Sequence, residues 1–340
     1  MPSKKSERTQ KEPLGEFALI ARYFAPLARG FPGAYGLEDD VAVIAPSPGM
    51  ELVAKTDAIV GGVHFLPSDP AGLVAKKALR VNLSDLAAKG AVPRAYLLDL
   101  LLPEGVEESW IAAFAGGLGE DQALYGVHLI GGDTDRTPGP VAIAITALGE
   151  IPQGRTIRRG GASAGDALYV TGTVGDAAFG LRVLKGALAA LDESAAAFLT
   201  GRYRLPEPRV ALGPRLLGLA SAALDISDGL LADLKHLCEV SRLSAVVEAP
   251  RVPLSPAAKA AIAVSEEGLA VALAGGDDYE ILFTAPKSAA SALARLSRDL
   301  SVPITVIGEM VRSVDEKHLP AVIDESGREI AFSSAGWTHF

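Results

Sequence analysis

Tyr96-Leu-Leu-Asp-Leu-Leu-Leu-Pro103, then Glu107 to Tyr125, then Val127-His-Leu-Ile-Gly-Gly-Asp-Thr134 decides the fold class. The first segment is an apolar run of strand length that a proline closes. The second carries helix formers without proline, and the third is a short apolar run, Val127 to Ile130, ending on two glycines and an aspartate. Strand, helix and strand in this order make an α/β layer. Toward the N-terminus, Pro70 to Gly90 predicts a helix in which Gly90 takes the C′ position. Before it, Val41 to Ala45 and Glu51 to Lys55 predict strands, the second running into Thr56-Asp57. Toward the C-terminus, Val141 to Gly149 predicts a long strand, and turn residues mixed with arginines follow from Ile151 to Gly161. We place a domain boundary there: residues 14–150 and 151–340 form two domains behind a polar tail, residues 1–13.

The second half predicts strands at Ala167 to Thr171, Ala245 to Ala249, Tyr279 to Thr284 and Ile304 to Gly308. Helical runs fall at Asp176 to Lys185, Ser194 to Tyr203, Pro208 to Ala222, Gly229 to Ser241, Pro256 to Ala263 and Ser288 to Leu300. Helices and strands interleave without the strict alternation of a doubly wound sheet, so the fold class is α+β, two α/β domains. The net charge of −9 argues against a nucleic-acid partner, because phosphate backbones demand a basic face. A single cysteine, Cys238, excludes an internal disulfide and fits a reducing cytoplasm. No apolar run is long enough to span a membrane, and the polar start from Met1 to Pro13 is no secretory signal.

The chemistry lies in the aspartates. Asp39-Asp40 precedes the first predicted strand, Thr56-Asp57 ends the second, and Asp85 sits inside the long helix. Gly131-Gly-Asp133, Asp225-Ile-Ser-Asp228-Gly229 and Gly275-Gly-Asp277-Asp278 complete the set. Carboxylates beside glycines at strand ends suit a hard cation, since glycine lets backbone approach and Mg²⁺ prefers oxygen ligands. Two converging carboxylates 4 Å apart repel by about 4 kcal/mol at an effective dielectric of 20, so convergence implies bound metal and, with Mg²⁺, phosphate. Read singly, each is equally a turn residue, and Asp225 and Asp228 equally an N-cap and a first-turn acid. A P-loop, a dinucleotide fingerprint, the protein-kinase motifs, a zinc cluster and a serine-hydrolase elbow are all absent. From the residues alone this is a Mg²⁺–phosphate enzyme of unspecified reaction.

One set of motifs runs through Gly15 to Phe24, Glu38-Asp-Asp40, Lys55-Thr-Asp57, Gly62-Val-His64-Phe65, Lys77-Ala-Leu79, Val81-Asn-Leu-Ser-Asp-Leu-Ala-Ala88 and Leu129-Ile-Gly-Gly-Asp-Thr134. Val170 to Ala177, Asp225 to Leu230, Gly275-Gly-Asp-Asp-Tyr-Glu280 and Gly336-Trp-Thr-His-Phe340 continue it. In order and spacing along residues 14 to 340, these motifs resemble the thiamine-monophosphate kinase family. The wider superfamily includes aminoimidazole ribonucleotide synthetase, hydrogenase maturation protein E and selenophosphate synthetase. The resemblance implies an N-terminal domain that binds Mg²⁺ and ATP and pairs its sheet in a homodimer, and a C-terminal domain that completes the sites. It implies ATP-dependent conversion of thiamine monophosphate to thiamine diphosphate. Carried over by position, Asp40, Thr56, Asp57, Asp85, Asp133, Asp225 and Asp228 hold Mg²⁺, with Asp57, Asp133 and Asp228 central to catalysis. Tyr125, Gly132, Arg159 and Ser227 face ATP, and His64, Asp277 and Trp337 face thiamine monophosphate. The alternatives are a superfamily sibling with another ATP-dependent reaction and a non-catalytic metal or nucleotide binder.

Several positions depart from that family's pattern. Glu38 stands where a glycine usually precedes the two aspartates, and Lys55 replaces a small hydroxyl residue before Thr-Asp. Asp277 stands for a usual glutamate, one methylene shorter, while Lys89 and Asp135 replace commoner Met and Thr. None removes a metal aspartate.

Overall fold

The computed structural model describes residues 15–265, 267–313 and 318–332. Helix α1 (Glu16–Leu19) leads to strand β1 (Met50–Val60), helix α2 (Ala71–Ala88), strand β2 (Val92–Pro103) and helix α3 (Glu108–Tyr125). Strands β3 (His128–Thr137) and β4 (Ala142–Pro152) close a four-stranded sheet of order β1-β4-β2-β3. Only β2 and β3 run parallel, with α3 as their crossover.

The second half opens with β5 (Ala167–Thr171), α4 (Asp176–Leu184), α5 (Glu193–Arg204) and β6 (Ala222–Asp225). It continues through α6 (Leu230–Ser241), β7 (Ser244–Glu248), α7 (Pro256–Ala263) and α8 (Gly268–Ala274). The last elements are β8 (Ile281–Ala285), α9 (Ala290–Leu300), β9 (Ile304–Val311) and β10 (Ala321–Ile323). Their sheet has the order β10-β7-β9-β5-β8-β6. Two mixed sheets flanked by helices are the α+β arrangement that the sequence predicts.

Helix α2 joins the halves. One flank lies on the first sheet beside α3, and another touches β6 and β8 of the second. That double burial explains its composition: Ala75, Leu79, Leu83, Leu86 and Ala87 are inaccessible, and so are the polar Asn82 and Ser84. Gly90 ends it with φ +82, as its C′ role requires. The opposite face of the first sheet is covered beside β3 by 3₁₀ turns at Ala25–Ala28 and Pro32–Leu37, which pack with Ala95, Leu97, Ile130 and Leu148, and among the described residues its β1 side is bare. Leu52, Ala54, Thr56 and Ala58 on β1 alternate with inward residues and are exposed there, as is Leu101 on β2.

Some expectations need correction. Val41 to Ala45 is not a strand: this extended stretch pairs with no strand, Val43 N–H donating to the Gly33 carbonyl while Ala42 and Ile44 pack toward Ala34 and Ile130, and Val41 and Val43 are exposed. Pro208 to Ala222 is not a helix, since Gly213-Pro214 permits one 3₁₀ turn and Gly218, at φ +81, turns the chain into β6. Strand β3 runs on through Gly131, Gly132 and Asp133, so Asp133 lies inside the strand rather than after it. The short elements α1, β6, α8 and β10 have no counterpart among the predicted ranges. The tail predicted at residues 1–13 lies outside the described residues.

Candidate active site

Alternation along β1 turns Lys55, Asp57 and Ile59 toward α2 and Thr56 away from it. Asp85 on α2 meets the inward row, and Lys55 Nζ lies 2.8 Å from Asp85 Oδ2 and 3.2 Å from Asp57 Oδ1. Across the junction, β6 ends on Asp225, which is 6% exposed and lies beside Ser84 of α2, whose hydroxyl donates to the Tyr279 carbonyl at 3.4 Å. Its Oδ2 is buried with no hydrogen-bond partner among the described residues. Burial, then the charge of Asp85, pushes the Asp225 carboxyl well above the usual range. Burial also lifts Asp57; Lys55 opposes the rise, while Asp85 and Asp228 add to it. Asp57, Asp85, Asp225 and Asp228 therefore act on one another electrostatically.

Ser227 and Asp228 sit in the tight turn between β6 and α6. Both backbone N–H groups donate to Asp233 Oδ2 at 3.0 Å, an N-terminal anchor for α6. Burial, then the neighbouring Asp228 charge, raises the Asp233 carboxyl to about 7. A second loop locks onto this turn. Asp277 N–H donates to the Ser227 carbonyl, Tyr279 N–H to the Ile226 carbonyl and Ile226 N–H to the Glu280 carbonyl, at 2.8, 2.8 and 2.9 Å. At Gly276 a Cβ would stand 2.1 Å from the Ser227 carbonyl oxygen, so only glycine allows that approach. Arg159 is exposed, yet its charge reaches both Lys89 and Asp233, which puts it beside the cluster.

The substrate-side candidates also gather. Lys77 of α2 is 2% exposed, and its Nζ donates to Asp277 Oδ2 at 3.0 Å and to the His64 carbonyl at 2.9 Å. That ammonium also lies 3.9 Å from the centroid of the Tyr203 ring. The Tyr203 hydroxyl donates to the same His64 carbonyl at 3.3 Å, and the Tyr279 hydroxyl donates to Asp277 Oδ1 at 3.1 Å. His64 Nδ1 accepts from Val60 N–H at 3.0 Å, so in the neutral ring the proton is on Nε2. Trp337 lies outside the described residues.

Other predicted residues stand apart within one chain. Asp57 shares a row with Ile145 and Leu98, both buried on the α2 side, whereas Asp133 pairs with exposed Asp99 on the bare face. Strands β1 and β3 are opposite edges of the sheet, so three strand spacings of about 4.8 Å separate these aspartates by roughly 14 Å. Asp133 Oδ1 accepts from the Thr134 N–H. Gly132 has φ +144, and a Cβ there would stand 1.8 Å from the Leu98 carbonyl oxygen, so this position demands glycine. The Thr56 hydroxyl faces the bare side, 3.1 Å from that of Thr146, which leaves its carbonyl as the group able to serve a cation near Asp57. Asp40 is on the exposed segment before β1 and makes no side-chain hydrogen bond or ion pair among the described residues. The Tyr125 ring packs on Arg80, 5.5 Å from the guanidinium carbon, in a network with Asp121 rather than with the aspartates. Among the described residues no three His, Cys, Asp or Glu side chains already converge on one ion position.

Sequence reading assigned no role to Lys77, although it lies in the motif Lys77-Ala-Leu79, and missed Asp233. The period of α2 gives the available signal for Lys77, since Val74, Ala78 and Val81 flank it on a buried face, but lysine alone reads as solvent-exposed. Asp233 could be found as an acid in the first turn of α6.

The family model for the AIR synthase related protein N-terminal domain matches residues 38–151, and that for its C-terminal domain matches residues 163–319. Thiamine-monophosphate kinase of Caulobacter vibrioides is 42% identical over 96% of this chain and 91% of its own length. That of Salmonella typhimurium is 43% identical over 96% and 98%. The thiamine-monophosphate kinase structure from Stenotrophomonas maltophilia superposes with TM-score 0.77 at 39% identity, covering 84% of this chain and 89% of that one. AaThiL complexed with AMPPCP and TMP gives TM-score 0.76 at 30% identity over 98% and 100%.

Proposed function

This chain belongs to the thiamine-monophosphate kinase family, and on that premise we propose that it moves the γ-phosphoryl group of ATP directly onto thiamine monophosphate. An oxygen of the substrate's terminal phosphate attacks the γ-phosphorus as the bond to the β–γ bridging oxygen breaks, giving thiamine diphosphate and ADP. A phosphate nucleophile is already ionised near neutral pH, so no general base is needed. Catalysis is then positioning and electrostatics. Arg159 is the side chain suited to clamp ATP phosphates, and the Gly132 and Ser227 backbone can approach them closely.

The observation that carries this reading is the buried Asp225 oxygen without a partner, repelled by Asp85, which together with Asp228 also repels Asp57. An orphaned carboxylate oxygen in such company fits a hard divalent cation. Asp57, Asp85, Asp225 and Asp228, with Asp40, Asp133 and the Thr56 carbonyl, would hold Mg²⁺. Bound there, Mg²⁺ would supply charge neutralisation between two polyanions. On the substrate side, Asp277, His64 and Lys77 form the pocket wall, to which Trp337 would add a ring for the cationic thiazolium.

We further propose a homodimer assembled through the bare sheet face. Its support is the exposed row Leu52, Ala54, Ala58 and Leu101, together with the separation of Asp57 from Asp133. In that assembly Asp133 and Gly132 of the partner's β3 edge would serve the Asp57 cluster. No described helix is long and apolar enough to cross a membrane, and a cytoplasmic setting is part of this proposal. Incubating the full chain with ATP, Mg²⁺ and thiamine monophosphate should yield thiamine diphosphate and ADP in equal amounts. Release of inorganic phosphate without thiamine diphosphate would overturn the transfer.

A further inference from the structure

We infer that the Lys55 ammonium is a built-in cation of the phosphate-transfer site, taking the place of one divalent ion between Asp57 and Asp85. Lys55 and Asp57 project from the same face of β1, two residues apart, and α2 delivers Asp85 to the same point. The ammonium lies within 3.2 Å of one oxygen of each carboxylate. It bridges a strand and a helix and its side chain is 31% exposed, which distinguishes it from a solvated surface pair.

An ammonium carries three donors and no lone pair, so it neutralises a carboxylate but cannot ligate a metal. Any divalent ion bridging Asp57 and Asp85 must first displace Lys55, and a nearby ion is repelled by it. Two consequences follow. Without metal, the Asp57–Asp85 pair stays compensated, so β1 and α2 remain docked. With metal, the chain holds one ion fewer, or one ion more weakly, than its carboxylates alone would take. The third N–H of Lys55 is then available as a donor to a phosphate oxygen. The inference rests on reading Asp57 and Asp85 as cation ligands.

The test is Mn²⁺ binding to the full chain, counted by electron paramagnetic resonance and calorimetry, with and without AMPPCP. Lys55→Met, or Lys55→Thr should the first variant fail to fold, is expected to gain one Mn²⁺ per chain or bind its tightest Mn²⁺ roughly tenfold or more tightly. Its metal-free form should melt below wild type, and Mn²⁺ should restore the difference. Superimposable isotherms for wild type and Lys55→Met, with weakened binding in Asp57→Asn, would overturn the role of Lys55 alone. Unchanged binding in Asp57→Asn as well would overturn the ligand assignment, and this inference with it.

Discussion

Replacing Lys77 by methionine tests the coupling between the two halves of the chain most directly. Methionine nearly matches the lysine stem in volume, so the change removes a charge without opening a cavity. It leaves Asp277 with the Tyr279 hydroxyl and leaves the His64 carbonyl with the Tyr203 hydroxyl. Removing one member of a buried ion pair costs about 3–5 kcal/mol. Asp277 is 27% exposed, however, so water recovers part of the loss. The cation over the Tyr203 ring adds about 0.5–2 kcal/mol, and we take about 2–3 kcal/mol for the whole substitution. At roughly 2–4 °C per kcal/mol for large chains, Lys77→Met should melt about 4–12 °C lower in a calorimetric or dye-based scan. Because Lys77 orients both Asp277 and the His64 turn, KM for thiamine monophosphate should rise more than kcat falls. In a double-mutant cycle with Asp277→Asn, the two changes should couple by about 1 kcal/mol or more. A Lys77→Met protein with an unchanged melting temperature, and effects that simply add to those of Asp277→Asn, would refute the reasoning.

Two further outcomes follow from the geometry. Asp57→Ala and Asp133→Ala should each fold and each lack turnover, and mixing them under exchange conditions should restore roughly a quarter of wild-type activity, because half the dimers are mixed and half their sites intact. No recovery, with subunit exchange verified, would mean that Asp133 does not act across a dimer. Cys238 is fully buried, and burial, followed by the Glu239 charge, pushes its thiol up to about 12. An aromatic disulfide reagent at pH 8 should therefore find no thiol in the native chain and one after guanidinium unfolding; rapid native reaction would contradict that burial.

Much of the fold could be read from residues because local signals agreed. Helix α3 begins at the acidic cap Glu107 and ends at Gly126 in the left-handed region, both visible as sequence punctuation. Val41 to Ala45 misled because its apolar residues look like a strand, whereas pairing depends on what lies beside them. Pro208 to Ala222 misled because helix formers outnumber the two glycines and the proline that break it. For the site, residue types were legible and their grouping was not. Thr56 and Asp57 are neighbours in sequence but face opposite sides of a sheet, and Asp133 is separated from both by a strand order that local pattern does not reveal. Lys77 was hidden because its partners, Asp277 and Tyr203, come from the other half of the chain.

The interlocked turns at 226–229 and 275–279 bear on how such a chain can change over time. Three backbone hydrogen bonds and the close contact at Gly276 make their spacing a property of peptide geometry rather than of side-chain choice. A mutation that shifts one turn shifts the other, so under the proposed assignment phosphate donor and acceptor would be displaced together or not at all. The side chains mounted on these turns can vary, while insertions and deletions in either are tolerable only when matched in its partner.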